Sequence, residues 1–262
     1  MLRALWSGAT GMKAQSRNID VIANNLANVN TSGFKKSKAL FSDLQYEQIS
    51  APGLNVNSGV ANPTGIEVGH GVKNSSVIKI FSQGEVEVTD RPLDLQIDGP
   101  GFFKVKDKTN GEFYTRNGAF TVNDQGLIVT TDGLILDGAG AVPQETKSIT
   151  VGQDGTISTI DGNNQANVIG TIQLYTFPNP SGLSSRKGAT LYEETPASGA
   201  AVGNTANENG ASSITSGMLE LSNVQAVEEM VGMIKAQRAY ELNSRSITTA
   251  DQMLQEINQL KR

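Results

Sequence analysis

The side chains that could carry out catalytic chemistry are few in this sequence. The chain has no cysteine and one histidine, His70, which lies in a Gly-rich stretch. Without cysteine it has no thiolate nucleophile, disulfide or thiolate metal site, and HExxH, GxSxG and Walker patterns are missing as well. Glu85 and Glu87 share one face of a strand pattern, but such carboxylate pairs arise by composition in an acidic sequence. We therefore predict no catalytic residues, no cofactor and no metal site.

Two glycine-containing patterns have a simpler explanation than ligand binding. The string "DGPGFF" beginning at Asp98 lacks the lysine and the following helix of a phosphate loop. Asp-Gly pairs recur with their aspartates at residues 98, 132, 137, 154 and 161, but neither an EF-hand loop nor a nine-residue β-roll repeat is present. Hairpin turns account for these pairs.

The stretch "VIANNLANVNTSGFKKS" from Val21 to Ser37 concentrates asparagines in a helical pattern. Asparagine is a poor helix former, and at about 100° per residue Asn24, Asn25 and Asn28 point away from the apolar side. One explanation is that this helix packs against partners on two sides, because amides form directional hydrogen bonds across helices. Alternatively, Asn28 and Asn30 end the helix and the other two are solvated.

A second polar cluster lies near the C-terminus. A solvated helix face is one sufficient explanation, since an exposed i,i+4 pair such as Glu241 and Arg245 contributes only a few tenths of a kcal/mol. The other explanation is again contact with a packing partner. The candidates for that contact are Gln237, Arg238, Tyr240 and Asn243.

Helices at both ends must position these side chains. In the N-terminal segment Leu5, Met12, Ile19 and Leu26 repeat every seven residues, which predicts a helix over about residues 3–28 with a heptad seam. Gly33 is a candidate for the exit from this helix.

In the C-terminal segment Ser222 is the predicted N-cap of a helix of about 35 residues. The apolar residues assigned there to the helix seam are Val227, Val231, Ile234, Ile247, Leu254 and Ile257.

The middle of the chain changes to a strand pattern. Of 28 glycines, 24 lie in residues 41–221, and "AFTVNDQGLIVTTDGLILDG" alternates strands with turns. We predict an α+β fold in which paired, coiled-coil-like terminal helices carry an inserted β-rich domain. The expected divisions are an N-terminal helix in 1–33, an extended connector in 34–75, the β-rich outer domain in 76–200, a return connector in 201–221 and a C-terminal helix in 222–262.

Charge and hydropathy exclude two further classes. The formal net charge is −5, and residues 41–221 hold 10 basic and 20 acidic side chains, so nucleic-acid binding is not expected. No apolar run is long enough for a membrane span, and the N-terminus lacks the unbroken apolar core of a signal peptide.

Three motifs together resemble those of one protein family. The segments "NIDVIANNLANVNTSGFK", "DGPGFF" with "YTRNGAFTVNDQG", and "SNVQAVEEMVGMIKAQRAYELNSRSITTADQML" are similar to signatures of the axial proteins of the bacterial flagellum, which form its rod, hook and hook-associated parts. The resemblance covers the chain from end to end. The chain length and the connector "YEQISAPGLNVNSGVANPTGIEVGHGVKNSSV" resemble a rod subunit adjoining the hook more than the hook protein or a proximal rod protein.

The resemblance implies a structural role. It implies a homo-oligomeric helical tube with paired terminal helices inside and the β domain outside. The tube would be joined to proximal rod proteins and the hook protein and surrounded by the basal-body rings. In such a tube the polar residues expected to contact neighbouring subunits are Asn24, Asn25, Asn28, Gln237, Arg238, Tyr240 and Asn243. It also implies export by the flagellar type III apparatus without a cleaved signal, and terminal regions that are commonly disordered until assembly. A neighbouring axial protein, hook or proximal rod, and an extracellular β-rich binding module with helical tails remain the alternatives.

Overall fold

The computed structural model describes residues 2–50, 64–107, 111–144, 146–162, 165–186, 188–207 and 212–260. These residues form two compact units. Unit 1 contains residues 1–26, 37–78 and 226–262, and unit 2 contains residues 27–36 and 79–225. Part of the predicted connector, residues 51–63, lies outside the described residues.

Two long helices lie near the chain ends, as the apolar periodicity predicts. Helix α1 spans Leu2–Ala27 and helix α2 spans Ala226–Leu260, 35 residues long. The predicted N-cap is wrong, because α2 begins four residues after Ser222 and the Ser222 hydroxyl accepts a hydrogen bond from the Val224 amide in a local turn. Helix α1 ends before Gly33, and the segment that follows turns through Asn28 and Thr31.

Gly33 has a role other than the helix exit suggested by the sequence. Its φ of 70° lies in the left-handed region that favours glycine. A Cβ atom at this position would lie 2.5 Å from the Asn117 backbone nitrogen, so a side chain would also clash. Its amide donates to the Glu220 carbonyl at 2.8 Å, and Gly33 thus allows two distant segments of unit 2 to approach closely.

Unit 1 also contains four strands that lie mostly within residues 34–75, the segment predicted to be an extended connector; the last of them ends at Lys79, the first residue of unit 2 after this stretch. They are β1 (Ser37–Asp43), β2 (Tyr46–Ser50), β3 (Ile66–Gly69) and β4 (Val72–Lys79). Strand β1 pairs with β4, and β2 pairs antiparallel with β3. Most side chains of β2 and β3 are exposed, so these strands lack the alternation of apolar and polar residues by which a half-buried strand is identified.

Unit 2 is built from short strands. They are β5 (Val86–Val88), β6 (Leu95–Asp98), β7 (Phe102–Lys106), β8 (Glu112–Thr115), β9 (Phe120–Val122), β10 (Ile128–Thr130), β11 (Ile135–Leu136), β12 (Thr146–Val151), β13 (Thr156–Asp161), β14 (Ala166–Thr171), β15 (Gln173–Thr176), β16 (Ser184–Ser185), β17 (Leu191–Glu193), β18 (Val202–Thr205), β19 (Ser213–Ser216) and β20 (Met218–Glu220). A short 3₁₀ turn, Pro180–Gly182, precedes β16.

The strands of unit 2 form one large sheet and several small ones. The large sheet has the order β16-β17-β8-β7-β11-β10-β9, and β15 pairs with both β7 and β18. Strands β12, β13 and β14 form a three-stranded sheet, while β6 pairs with β19 and β5 with β20. The antiparallel β9–β10 and β10–β11 pairs confirm the hairpins predicted with turns at Asp124 to Gly126 and at Asp132 and Gly133. Gly126 and Gly133 have φ angles of 77° and 79° there.

The core of unit 2 has an aliphatic part and an aromatic part. Phe103 and Phe120 meet edge to face in the first, with ring centroids 5.4 Å apart. In the second, Tyr192 packs on Phe102, and burial raises the pKa of both the Tyr192 and Tyr114 hydroxyls, that of Tyr114 to about 12. The helical ends and the β-rich middle confirm the α+β class.

Candidate assembly surface

The two helices of unit 1 pack against each other in antiparallel directions. A Cβ atom on Gly8 would lie 2.9 Å from Ile247 Cγ1, and one on Gly11 would lie 2.8 Å from Asn243 Nδ2. Farther along, the Cβ position of Gly232 lies 3.6 Å from Ile22 Cδ1. As residue numbers rise along α1, the residues that they contact on α2 have falling numbers, so the helices are antiparallel. The glycines allow the two helices to approach closely.

The predicted seam residues fall into two groups in the structure. Leu5, Met12, Ile19 and Leu26 are half-buried on α1, and Ile247 and Leu254 are half-buried on α2. By contrast Val227, Val231, Ile234 and Ile257 are exposed. At about 100° per residue, Val227, Val231 and Ile234 lie roughly opposite Ala236 and Ile247 around α2. They form a separate surface, together with the exposed Met230, and we call these four residues the outer stripe.

Asn25 is buried within unit 1, which differs from the intersubunit role predicted from the sequence. Its Oδ1 accepts from the Ser37 amide at 2.9 Å, and its Nδ2 donates to the Ser37 carbonyl at 2.8 Å. The same Nδ2 donates to Glu229 Oε2 at 3.1 Å. One side chain thus connects α1, β1 and α2, and because it is buried, its loss would leave polar groups without partners.

The remaining predicted polar contacts lie in different environments. Asn24, Gln237, Arg238 and Tyr240 are exposed. Asn243 is half-buried and faces Gly11 within the helix pair. Asn28 accepts a hydrogen bond from the Thr31 hydroxyl at 3.2 Å in the turn that follows α1. Only the exposed group presents polar side chains outward, and Arg238 there pairs with Glu241 at 3.4 Å.

Helix α1 is covered on a second side by the strands of unit 1. The Thr10 hydroxyl accepts from the Val72 amide at 3.4 Å, and a Cβ atom on Gly71 would clash with that hydroxyl. Near the start of α1, Arg3 pairs with Glu47 of β2 at 2.5 Å, and His70 Nε2 lies 3.7 Å from the same carboxylate. Helix α1 therefore makes contacts on two sides within the chain, with α2 and with the strands of unit 1.

Exposed apolar side chains are concentrated in unit 1. Among the described residues, 15 of the 20 exposed large apolar side chains belong to unit 1, whereas only five of the 28 buried apolar side chains do. The five buried ones are Ala14, Ile22, Ala39, Ala236 and Ala250. Unit 1 thus exposes apolar surface that water does not favour, and such surface is typical of a protein interface.

A buried cluster of charges in unit 2 was not predicted from the sequence. Lys35 Nζ lies 2.5 Å from Glu220 Oε1, and Arg116 Nη1 lies 3.0 Å from Glu220 Oε2. Burial lowers the pKa of Lys35, and the Glu220 carboxylate opposes that shift. Glu220 lies in a strand between Leu219 and Leu221, and a charged residue in such an apolar setting is the signal that could have identified it.

The described part of the chain contains no group of three or more His, Cys, Asp or Glu side chains arranged to hold a metal ion. Within the same residues, neither helix combines the length and apolar character needed to cross a membrane.

Comparison with known protein families identifies the class of protein to which this chain belongs. Residues 5–35 match the model of the flagella basal body rod protein, and residues 96–159 match the D1 domain of the flagellar hook protein FlgE/F/G. Residues 215–260 match the C-terminal model of the flagellar basal body rod FlgEFG protein. All three models describe rod or hook proteins of the bacterial flagellum, and this is the class of protein to which the chain belongs.

Full-length relatives narrow this class to one family. The chain is 45% identical to the flagellar basal-body rod protein FlgG of Caulobacter vibrioides and 44% identical to that of Buchnera aphidicola from Schizaphis graminum, each over 99% of this chain and 100% of the relative. It is 34% identical over the full length of both chains to the flagellar hook-basal body complex protein FlhP of Bacillus subtilis. The chain belongs to the FlgG family of flagellar basal-body rod proteins and is a structural subunit of the rod.

Proposed function

We propose that copies of this chain assemble into the distal rod as a rigid shaft that transmits torque from the motor to the hook. The observation that supports this role is the outer stripe of α2, whose four apolar side chains are exposed while the opposite face of the helix packs on α1. In an assembly, the stripe would be buried against neighbouring copies. The role requires no bond to be made or broken, so we propose that the chain is not an enzyme.

Stiffness would then come from many modest contacts. Each copy would contribute the outer stripe and the exposed polar residues Asn24, Gln237, Arg238 and Tyr240 to its neighbours. A helical lattice repeats such contacts along and around a tube. Because the ring of subunits closes around the tube, every subunit has a neighbour on each side. Resistance to bending and twisting would increase with the number of contacts.

The predicted connector over residues 47–75 is our candidate for an element that locks neighbouring copies. Its described part includes most of the β2–β3 ribbon, where Ile49 and Ile66 are exposed. A two-stranded ribbon is at most marginally stable alone, so contacts with neighbours would stabilise it. Deletion of the connector should make rods flexible or curved, and straight, stiff rods would contradict this assignment.

The partners that we propose follow from the place of a distal rod in the flagellum. They are other copies of the chain, the proximal rod proteins, the hook protein, the surrounding basal-body rings and the type III export apparatus. Coiled-coil packing of the terminal helices, as predicted from the heptads, is part of the same proposal.

Immunogold electron microscopy of purified hook–basal bodies tests the location. An antibody against residues 76–200 should label only the segment between the inner-membrane ring and the hook. Ring-stripped particles are needed alongside intact ones, because rings could cover the shaft. Label along the hook would place the chain one segment outward, and no label on ring-stripped particles would contradict a rod location.

A further inference from the structure

We infer that Lys35, Arg116 and Glu220 form a registry lock that holds the segment following α1 beside the segment preceding α2. The three residues come from the segments that match the three family models, at residues 5–35, 96–159 and 215–260. Lys35 and Glu220 are 185 positions apart. All three belong to unit 2. This inference does not depend on the proposed function.

The hydrogen bonds around the lock involve the backbone of several segments. Lys35 Nζ also donates to the Ser82 carbonyl at 2.7 Å, and Arg116 Nη2 donates to the Gly99 carbonyl at 2.5 Å. Glu220 Oε1 accepts from the Gly84 amide at 2.9 Å. Because these bonds have directions and fixed lengths, a shift of any one segment along another would break several of them.

Asn223, which lies between Glu220 and the start of α2 in the sequence, adds further hydrogen bonds to the lock. Its Oδ1 accepts from the Lys36 amide at 2.8 Å, and its Nδ2 donates to the Ile80 carbonyl at 2.9 Å. The Ile80 amide in turn donates to the Lys36 carbonyl at 2.9 Å. Asn223 therefore joins three segments at one place in unit 2. They are the residues that follow β4 at position 80, the segment at residues 35 and 36, and the segment before α2.

The charges make registry a more suitable role than stabilisation. The cluster has two cations and one anion, all buried, and ion pairs that lose their hydration in this way add little net stability. An apolar cluster would fill the same space without the free-energy cost of desolvating charges, but apolar contacts would let the segments slide along one another. Charged side chains that must meet a partner of opposite charge in the right direction allow the segments that carry them only one alignment.

The electrostatics predict an ordered set of melting temperatures for full-length variants. Glu220→Gln leaves two buried cations without an anion and should lower the melting temperature by roughly 10 °C. Lys35→Met leaves the balanced Arg116–Glu220 pair and should have a smaller effect. The double variant should melt above Glu220→Gln alone, because it removes one of two repelling cations. A double variant that melts lower than Glu220→Gln would show simple loss of packing and overturn the charge argument.

Hydrogen exchange tests registry itself. In folded Lys35→Met, the Lys36 and Ile80 amides should exchange at least tenfold faster than in the unmodified chain, while amides of the β7–β8 pair keep their rates. The matched control is Glu193→Gln, which removes an exposed ion pair with Arg186 and should change neither the melting temperature nor these rates. Unchanged exchange at Lys36 and Ile80 in Lys35→Met would overturn the registry lock.

Discussion

Removing the apolar atoms of the outer stripe should weaken assembly without weakening the subunit. The variant Val227→Ala, Val231→Ala and Ile234→Ala keeps good helix formers and deletes exposed carbons only. These side chains are 75%, 45% and 56% exposed. Seven carbons at about 0.8 kcal/mol each, scaled by an exposed fraction of about 0.6, give roughly 3 kcal/mol per subunit if assembly buries the stripe.

A loss of about 3 kcal/mol corresponds to a roughly 100-fold weaker association. Sedimentation of purified subunits would measure it as a corresponding rise in the concentration left in the supernatant, and cells carrying only the variant should have fewer rods by electron microscopy. The thermal melt of the monomer should be unchanged. The matched control replaces Val88, Val168 and Val202 of unit 2 by alanine, since these are also exposed. Equal supernatant concentrations for the stripe variant and the unmodified chain would refute the reasoning.

Three further substitutions test individual features of the fold. Asn25→Ala removes the bonds to Ser37 and Glu229 and should destabilise unit 1 by about 1–3 kcal/mol, seen as an earlier loss of helical circular dichroism on heating; an unchanged melt would contradict the buried role. Tyr192→Phe should leave stability unchanged or raise it by about 1 kcal/mol in denaturant titration, because the buried hydroxyl has no hydrogen-bond partner among the described residues; a clear loss of stability would reveal one. Burial raises the pKa of Tyr114 to about 12, so its contribution to the free energy of unfolding is complete below pH 10.0, the pKa of an unperturbed tyrosine, and is lost as pH rises towards 12. Tyr114→Phe should therefore make the melting temperature fall less steeply at alkaline pH, and an equally steep fall would contradict this.

Periodicity in the sequence was sufficient to predict the main elements. The heptad of Leu5 to Leu26 and the proline-free C-terminal segment indicate long helices, and Asp-Gly turns indicate hairpins. These signals are local, since each depends on residues within one or two turns of the chain. The strands β1 to β4 were missed because two-stranded ribbons with exposed faces have no regular apolar spacing.

The candidate surface could be predicted only in part, for a physical reason. An apolar spacing shows that a helix face is buried but does not show by what. Ile247 lies in the helix pair of unit 1, while Val231 of the same predicted seam is exposed on the opposite side. Asn25 and the Lys35–Glu220 pair depend on contacts across 204 and 185 residues, which a single sequence does not reveal.

The central claim is that the outer stripe of α2 becomes buried between copies in the rod, and the absence of cysteine from the chain allows a direct test. A single Ile234→Cys variant would be labelled with a maleimide as monomer and in ring-stripped basal bodies, with Val168→Cys as the exposed control in unit 2. The account predicts that the cysteine at position 234 reacts rapidly in the monomer and is protected in the rod, while the cysteine at position 168 reacts in both. Equal reactivity of position 234 in monomer and rod would contradict it.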